Sequence, residues 1–319
     1  MTTPPGGARR LRIGTRKSPM AMTQTRHVAR LITERTGCEV ELTGITTFGD
    51  VSRAQLAQIG GTGVFVSALR ASLLAGDIDV AVHSLKDLPV AQPDGIELAA
   101  VPVRDDPRDA LAARDGAKLA DLPPGATIGT GSPRRAAQLR LMRPDVRPVA
   151  VRGNAGTRLA KVTSGELDAV VLARAGLDRI GHLDLITEVF EPDEMVPAAG
   201  QGALAVECRD TDPGLTGLLG CADDPDSRAA VTAERAVLAG LQAGCHAPVG
   251  AYAVVTDMLR LTAVVIGDDG APPVSANAAA PAGEAVPTGL QVARELLRRG
   301  AGRYVTVAAA HTSNGDDAQ

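Results

Sequence analysis

One pattern occurs twice in this 319-residue chain, and it most constrains how the chain can fold. Leu11-Arg12-Ile13-Gly14-Thr15 is followed by Ser18-Pro19 and a helical stretch; Thr127-Ile128-Gly129-Thr130 is followed by Ser132-Pro133 and another. Each copy reads as a buried strand, a glycine turn, a Ser N-cap, a Pro at the first helical position and then a helix. A second pair keeps the same order. Gly76-Asp77-Ile78-Asp79-Val80-Ala81-Val82 matches Gly165-Glu166-Leu167-Asp168-Ala169-Val170-Val171, and both read as a turn feeding a short central strand of a parallel sheet. The repeat predicts two related α/β lobes.

Arg104-Asp105-Asp106-Pro107-Arg108 is a polar linker between the lobes, and Pro197-Ala198-Ala199-Gly200-Gln201-Gly202 is a second. The strand Ala203-Leu204-Ala205-Val206-Glu207 then returns to lobe one. Two crossings make a hinge with a cleft, where ligands bind. The expected fold class is therefore α/β, two lobes with a hinge and cleft plus a smaller α+β C-terminal domain. Lobe one takes residues 11–102 plus 203–220, lobe two 108–196 and the C-terminal domain 225–308; residues 1–10 and 309–319 are read as disordered. In the C-terminal domain an amphipathic helix spans 227–242 with Val231, Ala233, Val237, Leu238 and Leu241 as its apolar set, ended by Gly244. Residues 249–266 alternate as strands, and 288–299 form a helix rich in Leu and Arg.

The bulk numbers remove several function classes. At 45% hydrophobic and 22% charged residues the chain has an ordinary globular composition. No apolar run approaches the roughly 20 residues that span a bilayer, and Met1 to Arg10 lacks the apolar core of a signal peptide. A cytoplasmic protein with no membrane partner is expected. A net charge of −4, no Trp, 2 Tyr and 3 Phe argue against nucleic acid. Cys38, Cys208, Cys221 and Cys245 lie far apart, so neither a zinc site nor a disulfide framework is indicated. The cations are mostly arginine, with lysine only at positions 17, 86, 118 and 161, and arginine is the better fork for carboxylates.

Arg134-Arg135 fall in the first turn of a helix, where two cations oppose the dipole and call for something negative nearby. The plain alternative is two solvated surface arginines. Arg152 and Arg158 flank a Gly-Asn-x-Gly turn, Arg16 follows the first Gly-Thr turn, and Arg179 follows Leu172-Ala173-Arg174-Ala175-Gly176-Leu177. All lie beyond carboxyl ends of strands, the ligand-binding edge of open α/β sheets, and together they predict a guanidinium-lined cleft for a polyanion. No P-loop is present for nucleotide phosphates. Val82-His83-Ser84-Leu85-Lys86-Asp87-Leu88-Pro89 leaves a strand for a polar loop. Lys86 and Asp87 read equally as a surface ion pair or as a cleft carboxylate that stabilises developing positive charge.

Gly244-Cys245-His246-Ala247-Pro248-Val249-Gly250 is a Gly-bounded loop after a helix. An isolated cysteine is most often a buried small hydrophobe, and Cys-His is a weak sign of a thiol hydrolase that lacks its third partner here. The negative end of a helix opposes thiolate formation, so chemistry at Cys245 calls for a strong electrophile.

Eight segments in order resemble the porphobilinogen deaminase (hydroxymethylbilane synthase) family. They are Leu11–Arg16, Gly60–Phe65, Val82–Pro89, Asp106–Ala110, Gly129–Arg135, Arg152–Arg158, Gln201–Ala203 and Gly244–Pro248, running from about 11 to 256 and weakening after that. The resemblance implies two lobes like periplasmic binding proteins, a dipyrromethane cofactor attached through Cys245, no metal, no nucleotide and a monomer. It implies a transferase of porphyrin biosynthesis: four porphobilinogen plus water give hydroxymethylbilane and four ammonia. Loss of ammonia gives an electrophilic azafulvene, able to alkylate an ordinary thiol, and each added pyrrole brings two carboxylates.

Residue by residue, Asp87 matches the catalytic aspartate that accepts pyrrole N–H bonds. Cys245, Lys86, Ser84, Thr130, Ser132, Arg134, Arg135 and Arg158 match cofactor-binding positions; Arg16, Ser18, Gln24, Arg152, Arg158 and Arg179 match substrate-binding ones. Gln58 and Thr62 stand where many relatives carry lysines in a lid loop, 48–63, and Gly131 removes one hydroxyl from the turn before Ser132. The rival reading is a two-lobed binding protein or effector domain for a polycarboxylate ligand, against which the lack of a signal peptide and of a helix-turn-helix segment both weigh.

Overall fold

A computed structural model describes residues 10–45, 66–244, 247–267 and 271–305. The lid loop, Cys245 and His246, and most of both termini lie outside these residues; Arg10 already belongs to a strand. The chain runs β1 (Arg10–Arg16), α1 (Pro19–Thr36), β2 (Glu39–Ile45), α2 (Ser67–Leu74), β3 (Val80–Ser84) and β4 (Ile96–Ala100). It continues with β5 (Asp109–Ala113), β6 (Thr127–Thr130), α3 (Pro133–Met142), β7 (Arg147–Ala150), α4 (Ala155–Thr163), β8 (Ala169–Ala173), α5 (Arg174–Arg179) and β9 (Glu188–Val189). β10 (Leu204–Arg209) and α6 (Pro213–Leu219) follow, then α7 (Pro225–Gly240), β11 (Val249–Val255), β12 (Leu259–Val265), β13 (Val274–Ala280) and α8 (Ala285–Arg298).

The first sheet has strand order β2-β1-β3-β10-β4 and the second β7-β6-β8-β5-β9. Position by position they have one topology. In each, three strands run parallel and the fourth is antiparallel to its neighbours. The sheets are thus mixed, and the expected purely parallel setting of β3 and β8 is corrected. The reason is the crossings: β5 follows the first linker and β10 the second, so each enters its sheet from the cleft end and runs backwards beside strands that run towards it.

Local chemistry explains why the repeated residues repeat. Ser18 Oγ accepts from Ala21 N–H and Ser132 Oγ from Arg135 N–H, each closing an unpaired donor of a Pro-initiated helix; such a cap is worth about 1 kcal/mol. Gly14 and Gly129 sit where the second half of each repeat crosses. A Cβ on Gly14 would run into Ile78 Cδ1, and one on Gly129 would lie 2.7 Å from Leu167 Cδ1. Asp79 accepts from Arg12 N–H at 3.0 Å, and Asp168 from Thr127 N–H at 2.7 Å, fixing the equivalent strand starts. Gly76 and Gly165 both turn with φ near +79° and +78°, a conformation that costs glycine little.

The small third unit packs α7 and α8 on one face of the antiparallel sheet β11-β12-β13. β13 and the first turn of α8 went unread in the sequence, because Ala-rich alternation and Pro287 conceal them. The expected stop at Gly244 is also corrected. α7 ends at Gly240 with Leu241 as its C-cap, and Gln242 takes the left-handed position with φ +51°. Gln242 N–H then bonds Ala239 O and Ala243 N–H bonds Leu238 O, a Schellman closure whose apolar contact buries Ala243 with Leu238.

A buried ion pair docks this unit onto both crossings. Arg104 meets Glu234 of α7 at 2.6 and 3.1 Å and also donates to Gln201 O at 2.8 Å. Glu234, with no exposed surface, further accepts from Gly200 N–H and Ala253 N–H, both at 2.7 Å. All four bonds to Glu234 are charge-assisted, the condition under which a buried pair offsets its desolvation.

Candidate active site

The two lobes enclose a cleft of about 190 Å³ walled by Ser84, Lys86 and Gly202 from one side and Arg135, Arg158 and Arg179 from the other. Lys86 stands on the one-turn helix Leu85–Asp87 at the carboxyl end of β3. Arg135 stands on the first turn of α3, beyond the end of β6, and Arg158 on α4, beyond β7. Sheet topology alone therefore aims these cations at one space, as expected for the carboxyl edge of an open sheet.

Arg134 and Arg135 are not solvated. They are 2% and 6% exposed and clasp Asp109, at the start of β5, which has no exposed surface. Arg134 Nη2 lies 2.7 Å from Asp109 Oδ2, and Arg135 Nε donates to Asp109 Oδ1 at 2.8 Å. Asp109 is the negative group that two cations at a helix start require. Burial pushes its carboxyl up, but Arg134 and then Arg135 outweigh it and hold it at about 2. Arg134 also donates to Val196 O at 2.6 Å, whereas Arg135 turns towards the cleft.

Gln201 joins the halves. Its Nε2 donates to Pro107 O at 2.7 Å and to Asp109 Oδ1 at 2.8 Å, and its Oε1 accepts from Lys86 Nζ and from Arg135 Nη2, each at 3.2 Å. One fully buried amide thus connects the lysine of lobe one, the arginine of lobe two and the linker. Burial pushes Lys86 down to about 8; Arg135 adds to this, and Asp87 and Asp109 oppose it. Burial also lowers Arg158, again helped by Arg135. Four cations round a cleft floored by small residues can receive a ring carrying carboxylates.

The remaining expected residues divide. Ser84 exchanges hydrogen bonds with Gln24 of α1 at 3.0 and 3.2 Å. Thr130 Oγ1 accepts from Ser132 N–H at 3.1 Å. Ser18 and Ser132 act as helix caps. Arg179 holds Asp105 at 2.7 Å and Gly202 O at 2.8 Å, so it links the two crossings while walling the cleft. Asp87 is exposed beside Lys86 and makes no ion pair with it among the described contacts. Arg16 is half-buried at the end of β1 and Arg152 exposed beyond β7; neither walls this cleft. Cys245 lies outside the described residues.

Asp109 and Gln201 had no assigned role in the sequence. Their signals were present: Asp109 ends the Asp106-Pro107-Arg108-Asp109 run, and Gln201 sits in the Gln201-Gly202-Ala203 segment of the second crossing. Among the described residues no group of acids, histidines and cysteines could hold a metal.

A family model described as porphobilinogen deaminase, dipyromethane cofactor binding domain, matches residues 11–216, and one for the porphobilinogen deaminase C-terminal domain matches 228–298. The similarity therefore continues well past residue 256, where the sequence motifs thin out. Porphobilinogen deaminase of Thermobifida fusca is 59% identical over 309 residues, covering 94% of this chain and 97% of that protein. Porphobilinogen deaminase 1 of Streptomyces coelicolor is 52% identical, covering 91% and 96%. A periplasmic substrate-binding protein of an ABC transporter from Coxiella burnetii overlays 67% of this chain and 92% of its own at 15% identity and a TM-score of 0.43; the two-lobed fold rests on the sheet topology instead. Matches over both the lobes and the small third unit, on a chain whose lobes meet around clustered cations, place this protein in the porphobilinogen deaminase family.

Proposed function

We infer that the chain is a porphobilinogen deaminase, joining four porphobilinogen molecules head to tail into hydroxymethylbilane with release of ammonia. The observation that carries the reading is the pair of family matches spanning both lobes and the third unit. The cleft supplies its physical sense. Lys86, Arg135, Arg158 and Arg179 converge on it, and a substrate with an acetate and a propionate is the anion such a set can grip bidentately.

The donor set also fits a dipyrromethane, itself rich in carboxylates, and we propose that it is attached through Cys245. Lys86, Ser84, Thr130, Ser132, Arg134, Arg135 and Arg158 would hold it. When bound, it supplies the pyrrole carbon from which the chain grows. In the same reading Arg134 acts through Asp109 and Val196, which fix the first turn of α3, and Arg135 reaches the cleft. Arg16, Ser18, Gln24, Arg152, Arg158 and Arg179 serve the incoming substrate, Ser18 and Gln24 by holding α1 and Ser84 in place. The exposed carboxylate of Asp87 accepts pyrrole N–H bonds and stabilises positive charge as ammonia leaves. We assign this activity to a monomer in the cytoplasm.

Intact-protein mass spectrometry tests the reading. Protein purified from cells that make porphobilinogen should carry two linked pyrroles, and Cys245→Ser should carry none. An unmodified, folded wild-type chain without deaminase activity would overturn it.

A further inference from the structure

The turn that presents Asp87 is held from the third unit. Leu85–Asp87 is a single 3₁₀ turn without a side-chain cap, closed by Leu88 N–H on Leu85 O at 3.1 Å. One such bond does little to fix a polar loop. Two further contacts come from one face of α7. Val231 packs in the cluster that contains Leu85 and Leu88. One helical turn on, Arg235 reaches over the chain just after Asp87: Nη1 donates to Leu88 O at 3.3 Å, and Nη2 to Pro89 O at 2.7 Å and Val90 O at 3.1 Å. Residues four apart share a helix face, so Val231 and Arg235 grip the turn from below and from its exit.

The rigid fork of an arginine suits this task. Three successive carbonyls otherwise have no strand partner, since β4 begins only at Ile96. Behind them Glu207 of β10 takes Arg70 at 2.6 Å and lies 3.3 Å from His83 of β3. Burial lowers Arg235, Glu207 works against this and Arg70 adds to it. Arg235 itself does not wall the cleft.

We propose that Arg235 is a positioning residue for Asp87. α7 is then the common reference for both sides of the reaction: its middle fixes the carboxylate, and the chain leaving its end carries Cys245. This rests on the reading of the chain as a deaminase. Loss of the fork frees the exit of the turn, while Lys86 on the same turn keeps its own tie to Gln201 Oε1 at 3.2 Å and the arginines of lobe two are untouched.

The test is steady-state kinetics on purified holoenzyme for Arg235→Ala and Arg235→Lys, with adduct mass and thermal unfolding measured on the same samples. Wild type must show the two-pyrrole adduct and turnover; their absence would overturn the deaminase reading and this proposal with it. Arg235→Ala should keep the adduct, with kcat lowered roughly tenfold to a hundredfold and KM within about threefold, the pattern of misplaced chemistry rather than lost binding. Arg235→Lys keeps the charge and loses the fork, and should recover part of the rate; it carries the same test if the alanine variant does not fold. A kcat per adduct-bearing molecule within about twofold of wild type in the folded variant would overturn the proposal.

Discussion

The two lobes share one topology and differ in where they keep their charge. In lobe two the first residue of the crossing strand β5 is Asp109, paired with Ala173 at the end of β8, and it gathers the buried Arg134 and Arg135, of which Arg135 walls the cleft. In lobe one the matching residue of β10 is Leu204, paired with Ser84 at the end of β3. Its carboxylate lies deeper in the strand, at Glu207, where it holds Arg70 and His83 away from the cleft. Lobe two thus brings Arg135, Arg158 and Arg179 to the cleft, while lobe one brings Lys86 on a short turn whose next residue, Asp87, is exposed and does not wall that space. A common scaffold fixes where strand ends point, and a shift in the position of one carboxylate decides which side of the sheet receives its partners.

The sharpest break should come from Asp87→Ala. We expect turnover to fall by about 10²–10⁴-fold with the fold and adduct retained, measured by kcat on holoenzyme; near-normal turnover would assign the chemistry elsewhere. Asp109→Ala probes the other lobe. Two buried guanidinium groups would lose their counter-charge, so denaturant unfolding should show a loss of about 3–5 kcal/mol; a change below about 1 kcal/mol would show that the cluster relaxes without it. Because Asp109 is held at about 2, below its ordinary 3.8, its stabilisation is complete above the ordinary value and is lost as pH falls through about 2.

The smallest effect concerns Lys86. As pH rises through about 8 its charge is lost, and substrate affinity should weaken along that limb, whereas Lys86→Gln should bind more weakly at pH 7 and lack the limb. Stability moves the other way. Between about 8 and 10.5 the unfolded chain keeps a proton that the fold has released, so folding improves as pH rises. Titration of binding and of unfolding in wild type and variant checks both signs, and identical profiles would remove Lys86 from the cleft's charge balance.

Much of this was legible in sequence. The Ser-Pro helix starts, the paired Gly-x-x-Asp turns and the return of 203–207 to the first sheet are local patterns with local causes, and they appear as read. Arg134-Arg135 could be read as needing a negative partner, but Asp109 could not be chosen, because the pairing runs from one strand to a helix across the sheet. Gln201 was harder still. A neutral amide carries no charge pattern, and its meaning comes only from lying between Lys86, Arg135 and Asp109. The tie from Arg235 to three backbone carbonyls leaves no trace in residue types at all.

The exchange of strands at the crossings has a consequence for biosynthesis. The second sheet is drawn from one continuous stretch, 109–189, and can close as soon as that stretch has left the ribosome. The first sheet needs β10 between β3 and β4, so its earlier strands must wait, with an open edge, until everything after them in lobe two has been made. Translation from the N-terminus therefore completes the later lobe first, and a nascent chain paused before residue 204 would expose β3 and β4 to unwanted strand pairing.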